Sequence, residues 1–133
     1  MLRTDSANNI TITQGNSAEI DVTAYDEEGN PIELQEGDKV IFKVECNGKE
    51  IIKKVLTSEN FDSEEKALKL ILKPEDTINL PLEKHITPSG GSYYDTSYYY
   101  DCLYIFADGS AYTFIDAAQF KIVKAIAKVG DDP

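Results

Sequence analysis

Residues 39–56 read KVIFKVECNGKEIIKKVL, and this stretch decides the fold. Val40, Phe42, Val44 and Cys46 recur at every second position, the period of a strand with one buried face. Asn47-Gly48 follows, the pair that best tolerates positive φ at both central positions of a two-residue hairpin. Residues 50–56 then return antiparallel, and the adjacent Ile51 and Ile52 leave their register open.

The same period runs outward in both directions. Ile10 and Ile12 alternate in residues 9–13, and Ala18, Ile20, Val22 and Ala24 alternate in residues 17–25. Asp26-Glu27-Glu28-Gly29-Asn30-Pro31 is turn chemistry, after which Ile32 and Leu34 plug the core edge. Residues 66–73 form a strand with Leu68, Leu70 and Leu72 inward, although Ser63 to Ala67 also fits the start of a short helix. Pro74 to Ile78 reads as one helical turn, with Pro first and acids at the positive end of the dipole. Residues 80–97, with two prolines and two glycines, read as a long connection. Residues 98–106 are a strand with Tyr98, Tyr100, Cys102, Tyr104 and Phe106 on one face. Asp108-Gly109 turns it back through residues 111–115, Asp116-Ala117-Ala118 breaks the alternation, and residues 120–123 resume it. Residues 125–128 either continue that strand or curl into a helical turn. The expectation is an all-β, antiparallel β-sandwich of about 7–9 short strands with one helical turn. It would occupy residues 9–128, between flexible ends at 1–8 and 129–133.

Composition bounds the function. The chain has 133 residues, 41% of them hydrophobic, enough for one domain with a genuine core. No apolar run approaches the ~20 residues of a membrane helix. The opening MLRTDS has no apolar run of the signal-peptide kind, so a reducing compartment is expected. The net charge is −11, which phosphate backbones and anionic lipid repel, so neither nucleic acid nor membrane is an expected partner. Residues 19–38 hold eight acids and no Lys or Arg. They lack the Asp-x-Asp-x-Asp-Gly spacing of a calcium loop and read as the solvated face of a sheet plus acidic turns.

Chemistry-bearing residues are sparse. The single histidine, His85, has no Gly-x-Ser-x-Gly elbow near it. Cys46 and Cys102 lie too far apart to form a zinc cluster with it, and no glycine-rich segment ends in Lys-Ser/Thr. No catalytic residue, metal or cofactor is therefore expected. Cys46 and Cys102 both fall on inward positions, either bonded across the sandwich or present as small buried apolar groups. Seven of the eight tyrosines lie between residues 93 and 112. Tyr93, Tyr94 and Tyr99, with Ser92 and His85, mark a candidate partner-contact loop at 86–97, because Tyr among Ser and Gly makes adaptable recognition surfaces. The competing reading packs those tyrosines back onto the sandwich.

Two resemblances follow from the order of these fragments. Leu72-Lys73-Pro74-Glu75-Asp76-Thr77 followed by Tyr98-Tyr99-Tyr100-Asp101-Cys102 is similar to the immunoglobulin pattern of a helical E–F turn and a Tyr two residues before a Cys, although the chain contains no Trp. Over residues 8–124 the chain also resembles the N-terminal immunoglobulin-like domain of the upper baseplate protein of Gram-positive phages, and related tail proteins. The matching segments are Ile10-Thr11-Ile12-Thr13-Gln14-Gly15-Asn16, the 26–31 turn, Gly37-Asp38-Lys39-Val40-Ile41-Phe42-Lys43-Val44, the Pro74-to-Thr77 turn, the Tyr98 strand, and Ala107-Asp108-Gly109-Ser110-Ala111-Tyr112-Thr113. That resemblance implies a non-enzymatic structural protein of a phage or prophage virion, a tail, baseplate or neck module made in the bacterial host cytoplasm. Its partners would be virion proteins or a second copy of itself. Two other readings remain: an immunoglobulin-like cell-surface module binding protein or carbohydrate, and an enzyme or small-ligand carrier with a pocket lined by Tyr98, Tyr100, Tyr104 and the 86–97 loop.

Overall fold

The structure, a computed structural model, describes residues 2–4 and 8–124. Two sheets face each other. The larger contains β1 (Leu2–Thr4), β2 (Ile10–Thr13), β4 (Lys39–Cys46), β5 (Lys49–Leu56), β9 (Ser92–Ile105) and β10 (Ala111–Val123). Their order is β1-β2-β10-β9-β4-β5, and β8 (Glu83–Ile86) pairs with β9 off that path. The smaller sheet runs β3 (Ala18–Val22), β7 (Ala67–Leu72), β6 (Phe61–Asp62). All pairings are antiparallel except β2 on β10. The all-β sandwich expected from alternation is what forms, with ten strands among the described residues because β1, β6 and β8 were not foreseen.

The alternating apolar positions meet between the sheets. Ile10, Ile12, Ile20, Val22, Val40, Phe42, Val44, Leu68, Leu70, Leu72, Phe120 and Ile122 are all buried there. Phe42 sits centrally, with Tyr100 at 5.0 Å and Phe120 at 6.1 Å between ring centroids. At Asn47 and Gly48 φ is +52° and +78°, the mirror-image turn that matches strand twist. A bulge at Val44/Glu45 settles the Ile51–Ile52 ambiguity: Ile52 opposes Val44 and is buried, while Ile51 is half-buried.

Between the sheets, α1 (Pro74–Thr77) is the expected helical turn. Its buried Thr77 hydroxyl accepts the Gly15 N–H at 2.7 Å, and the Gln14 amide donates to the Leu80 carbonyl at 2.8 Å, tying the β2–β3 turn to this crossing. Residues 63–66 form a turn and not a helix, with Lys66 at φ +55°. Two acids of the stretch meet Lys69 on β7, Asp21 at 2.7 Å and Glu19 at 3.7 Å, and Glu65 from outside the stretch joins them.

Three expectations are corrected. Residues 80–97 are not a long connection. Glu83–Ile86 and the first part of β9 form a hairpin, in which Thr87 N–H donates to the Gly91 carbonyl and Gly90 takes φ +91°. Alternation does break at 116–118 as expected, but as a bulge with Ala117 at φ +49°, so that residues 111–115 and 120–123 belong to the single strand β10 and not to two. Cys46 and Cys102 do not face each other across the sandwich. They lie on adjacent strands of one sheet, where Cys102 opposes Phe42, four residues from Cys46. Four residues along a strand is about 13 Å, beyond the ~7 Å Cα limit for a disulfide, and both are free thiols. The 1–8 segment, expected to be flexible, includes β1. The alternatives for 125–128 and the flexible end at 129–133 lie outside the described residues.

Candidate functional site

β9 is fourteen residues long and outruns the core. Its even-numbered residues from Tyr98 to Tyr104 point inward and are buried, so Tyr98, Tyr100 and Tyr104 are core residues and not the lining of a pocket shared with residues 86–97. Its odd-numbered residues face outward. Beyond the end of β4 the strand is held by β8 on one side and by the end of β10 on the other. The approach to β8 is anchored by side chains of β9: Thr96 Oγ1 accepts from Glu83 N–H at 3.0 Å and donates to the Pro81 carbonyl, to which the Tyr98 hydroxyl also donates at 3.4 Å.

His85, Ser92, Tyr93 and Tyr94, expected in a contact loop, are therefore strand residues of this arm. His85 opposes Tyr93 across the β8–β9 ladder, and their rings stack at 4.8 Å and 18°. Ser92 opposes Ile86 at the mouth of the turn. Tyr94 carries the Lys124 ammonium 4.6 Å above its ring centroid. Asp95 links the group, with one oxygen 3.2 Å from Lys121 Nζ and the other 2.6 Å from His85 Nε2. The His85 approach lacks hydrogen-bond alignment and becomes an ion pair when the imidazole carries a proton. Ser92, Tyr93 and Tyr94 line an open groove of about 670 Å³ with Asp95, Lys121 and Lys124. Ile86 on the arm is 74% exposed and Tyr93 49%.

Tyr99 does not join this group. It lies on the same outer face as Tyr93, six residues along β9, about 20 Å away, beside Glu45 and Gln119. The sequence reading also missed Asp95, Lys121 and Lys124, which only the β9–β10 register brings to the arm. A His-to-Tyr spacing across a Pro-Ser-Gly-Gly turn was the one local signal of a hairpin here.

Among the described residues no group of three or more His, Cys, Asp and Glu is arranged to hold a metal, and no helix is long and apolar enough to cross a membrane. Burial pushes the Cys102 thiol up to about 12, so it is a poor nucleophile. Compared with protein-family models, curated proteins and solved structures, the chain matches none.

Proposed function

We propose that the chain is a non-enzymatic structural module of a phage or prophage virion, with an immunoglobulin-like sandwich, that works through protein–protein contacts made by the β8–β9 arm. The strand order supports the immunoglobulin-like part. β10-β9-β4-β5 corresponds to the G-F-C-C′ order of variable-type domains, β3-β7-β6 corresponds to B-E-D, and α1 occupies the E–F crossing. Phe42 on the C-equivalent strand takes the central place that Trp holds in antibody domains. The resemblance over residues 8–124 supports the virion part.

The observation that carries the contact role is the arm, whose Ile86 on β8 and Tyr93 on β9 are exposed past the core. A cell-surface module of the secreted kind leans on a Cys46–Cys102 bond, which the register disfavours. The test is affinity isolation of the tagged full chain from bacteria in which the phage genes are induced, read by mass spectrometry. Tail, baseplate or neck proteins should co-purify, and Ile86→Ser with Tyr93→Ser should lose them while keeping the β-sheet circular dichroism. Retention of every partner by that variant, or an eluate holding only a glycan or small molecule, would overturn the reading.

A further inference from the structure

At the opposite end of β9 from the arm, a core aromatic stack reaches the surface. Tyr104, fully buried, packs Phe106 at 4.5 Å and Tyr112 at 5.8 Å between centroids, and Tyr112 lies parallel to it within 8°. Phe106 and Tyr112, with Ile32 and Tyr25, line an open groove of about 450 Å³ whose rim carries Asp26 and Glu27. Tyr25 is 58% exposed and Tyr112 37%. The volume is that of a site able to take one or two large side chains. The rim is rigid as well as acidic, because Asp26 Oδ1 accepts the N–H groups of Glu28 and Asn30, both at 2.9 Å. Burial and the Asp26 charge both raise the Tyr112 pKa, which puts that carboxylate within electrostatic reach of the ring.

The charge around the groove selects its occupant. It lies at the heart of the stretch 19–38, with eight acids and no Lys or Arg, in a chain of net charge −11. A second copy would bring the same acidic rim and be repelled. A bulky apolar side chain flanked by Lys or Arg fits on both counts, since the tyrosine faces bind its ring or a cation and the rim carboxylates pair with its neighbours.

We propose that this groove is a second docking site, which takes a cationic segment with an apolar or aromatic anchor from a partner protein. It rests on the reading of the chain as a contact module and extends it. Tyr93 and Phe106 are thirteen residues apart on or next to β9, so the two surfaces are separated by about 40 Å and one copy joins two neighbours.

The test uses the full chain and three short fluorescent peptides. One has a central Trp flanked by Arg and Lys, one has the Trp flanked by Glu, and one has the basic residues around Gly. Only the first should bind, more weakly at ~0.5 M salt, with amide shifts in NMR centred on Tyr25, Ile32, Phe106 and Tyr112. Tyr25→Ser and, separately, Glu27→Lys alter exposed side chains and keep the fold, and each should weaken binding by about fivefold or more. Equal binding of all three peptides, shifts centred elsewhere, no binding at millimolar peptide, or self-association that Tyr25→Ser abolishes would each overturn the proposal. Tail proteins still captured through the arm in such a case would leave the proposed function standing and remove the groove alone.

Discussion

Replacing Tyr104 by Phe removes one oxygen and tests the polar clasp under the aromatic stack. The Tyr104 hydroxyl donates to Asp38 Oδ2 at 2.7 Å, the Gln35 N–H donates to the same oxygen at 3.1 Å, and the Ala107 N–H donates to Oδ1 at 2.9 Å. Asp38 is 5% exposed, so its charge has little water and three protein donors. Burial works to raise its pKa, and the Tyr104 hydroxyl with the two N–H groups outweighs it, leaving the carboxyl below its ordinary value of 3.8. A hydrogen bond to a charged group contributes about 1.5–3 kcal/mol, so Tyr104→Phe should destabilise by about 2 kcal/mol with the ring packing kept. Asp38→Asn should cost about 2–4 kcal/mol, because an amide NH₂ then faces N–H or O–H donors. The double variant should cost about 1–2 kcal/mol less than the two single losses added, since both break the same bond.

The assay is urea unfolding followed by far-ultraviolet circular dichroism. The pH dependence has a definite sign. A carboxyl whose folded pKa is depressed contributes its stability above the unfolded value, about 3.9, and loses it as pH falls through the folded value. The gap between the natural chain and Asp38→Asn should therefore be widest at neutral pH and narrow once the pH drops below 3.8. A Tyr104→Phe cost under about 0.5 kcal/mol at pH 7, or a gap that stays constant on acidification, would refute the clasp as a charged network.

Phe42→Ala should cost about 3–5 kcal/mol in the same assay, because it empties a fully buried site between Tyr100 and Phe120; a loss below about 1 kcal/mol would mean that Phe42 is not central to the core. With Ellman's reagent one thiol, the half-buried Cys46, should react in the native state and Cys102 only on unfolding; rapid modification of both would contradict the burial of Cys102. Ala117→Gly should stabilise by up to about 1 kcal/mol, since φ +49° strains a side chain with a Cβ, and a destabilised variant would show that the bulge is held by packing of the Ala methyl.

Where side chains alternate against a full core, the sequence was easy to read. Ile10, Phe42, Leu70 and Tyr98 each sit on the predicted face, because a strand with one buried face must repeat every two residues. The segment 83–97 was misread for a related reason. β8 and the start of β9 lie beyond the core, so Glu83, His85, Ser92 and Asp95 show no apolar period, and Pro88, Gly90 and Gly91 looked like punctuation in a loop and not the turn of a hairpin. Their pairing comes from β10 and from hydrogen bonds of Thr96 and Tyr98 to Pro81, which are distant in sequence. The candidate contact loop grouped Tyr93, Tyr94 and Tyr99, which sequence alone could not separate, whereas the register sets Tyr99 beside Glu45 and Gln119, away from the arm.

Composition, charge and period by themselves determined an acidic chain built from strands with one apolar face, since those properties are local or additive along the chain. The tertiary structure alone decided which strands neighbour one another. Register thus placed the two thiols beyond bonding distance, carried Asp95 and Lys121 to His85, and brought Tyr25 beside Phe106 and Tyr112 although about eighty residues separate them. Long-range pairing depends on which faces fill a common space, a property of the whole packed chain that no short window of sequence contains.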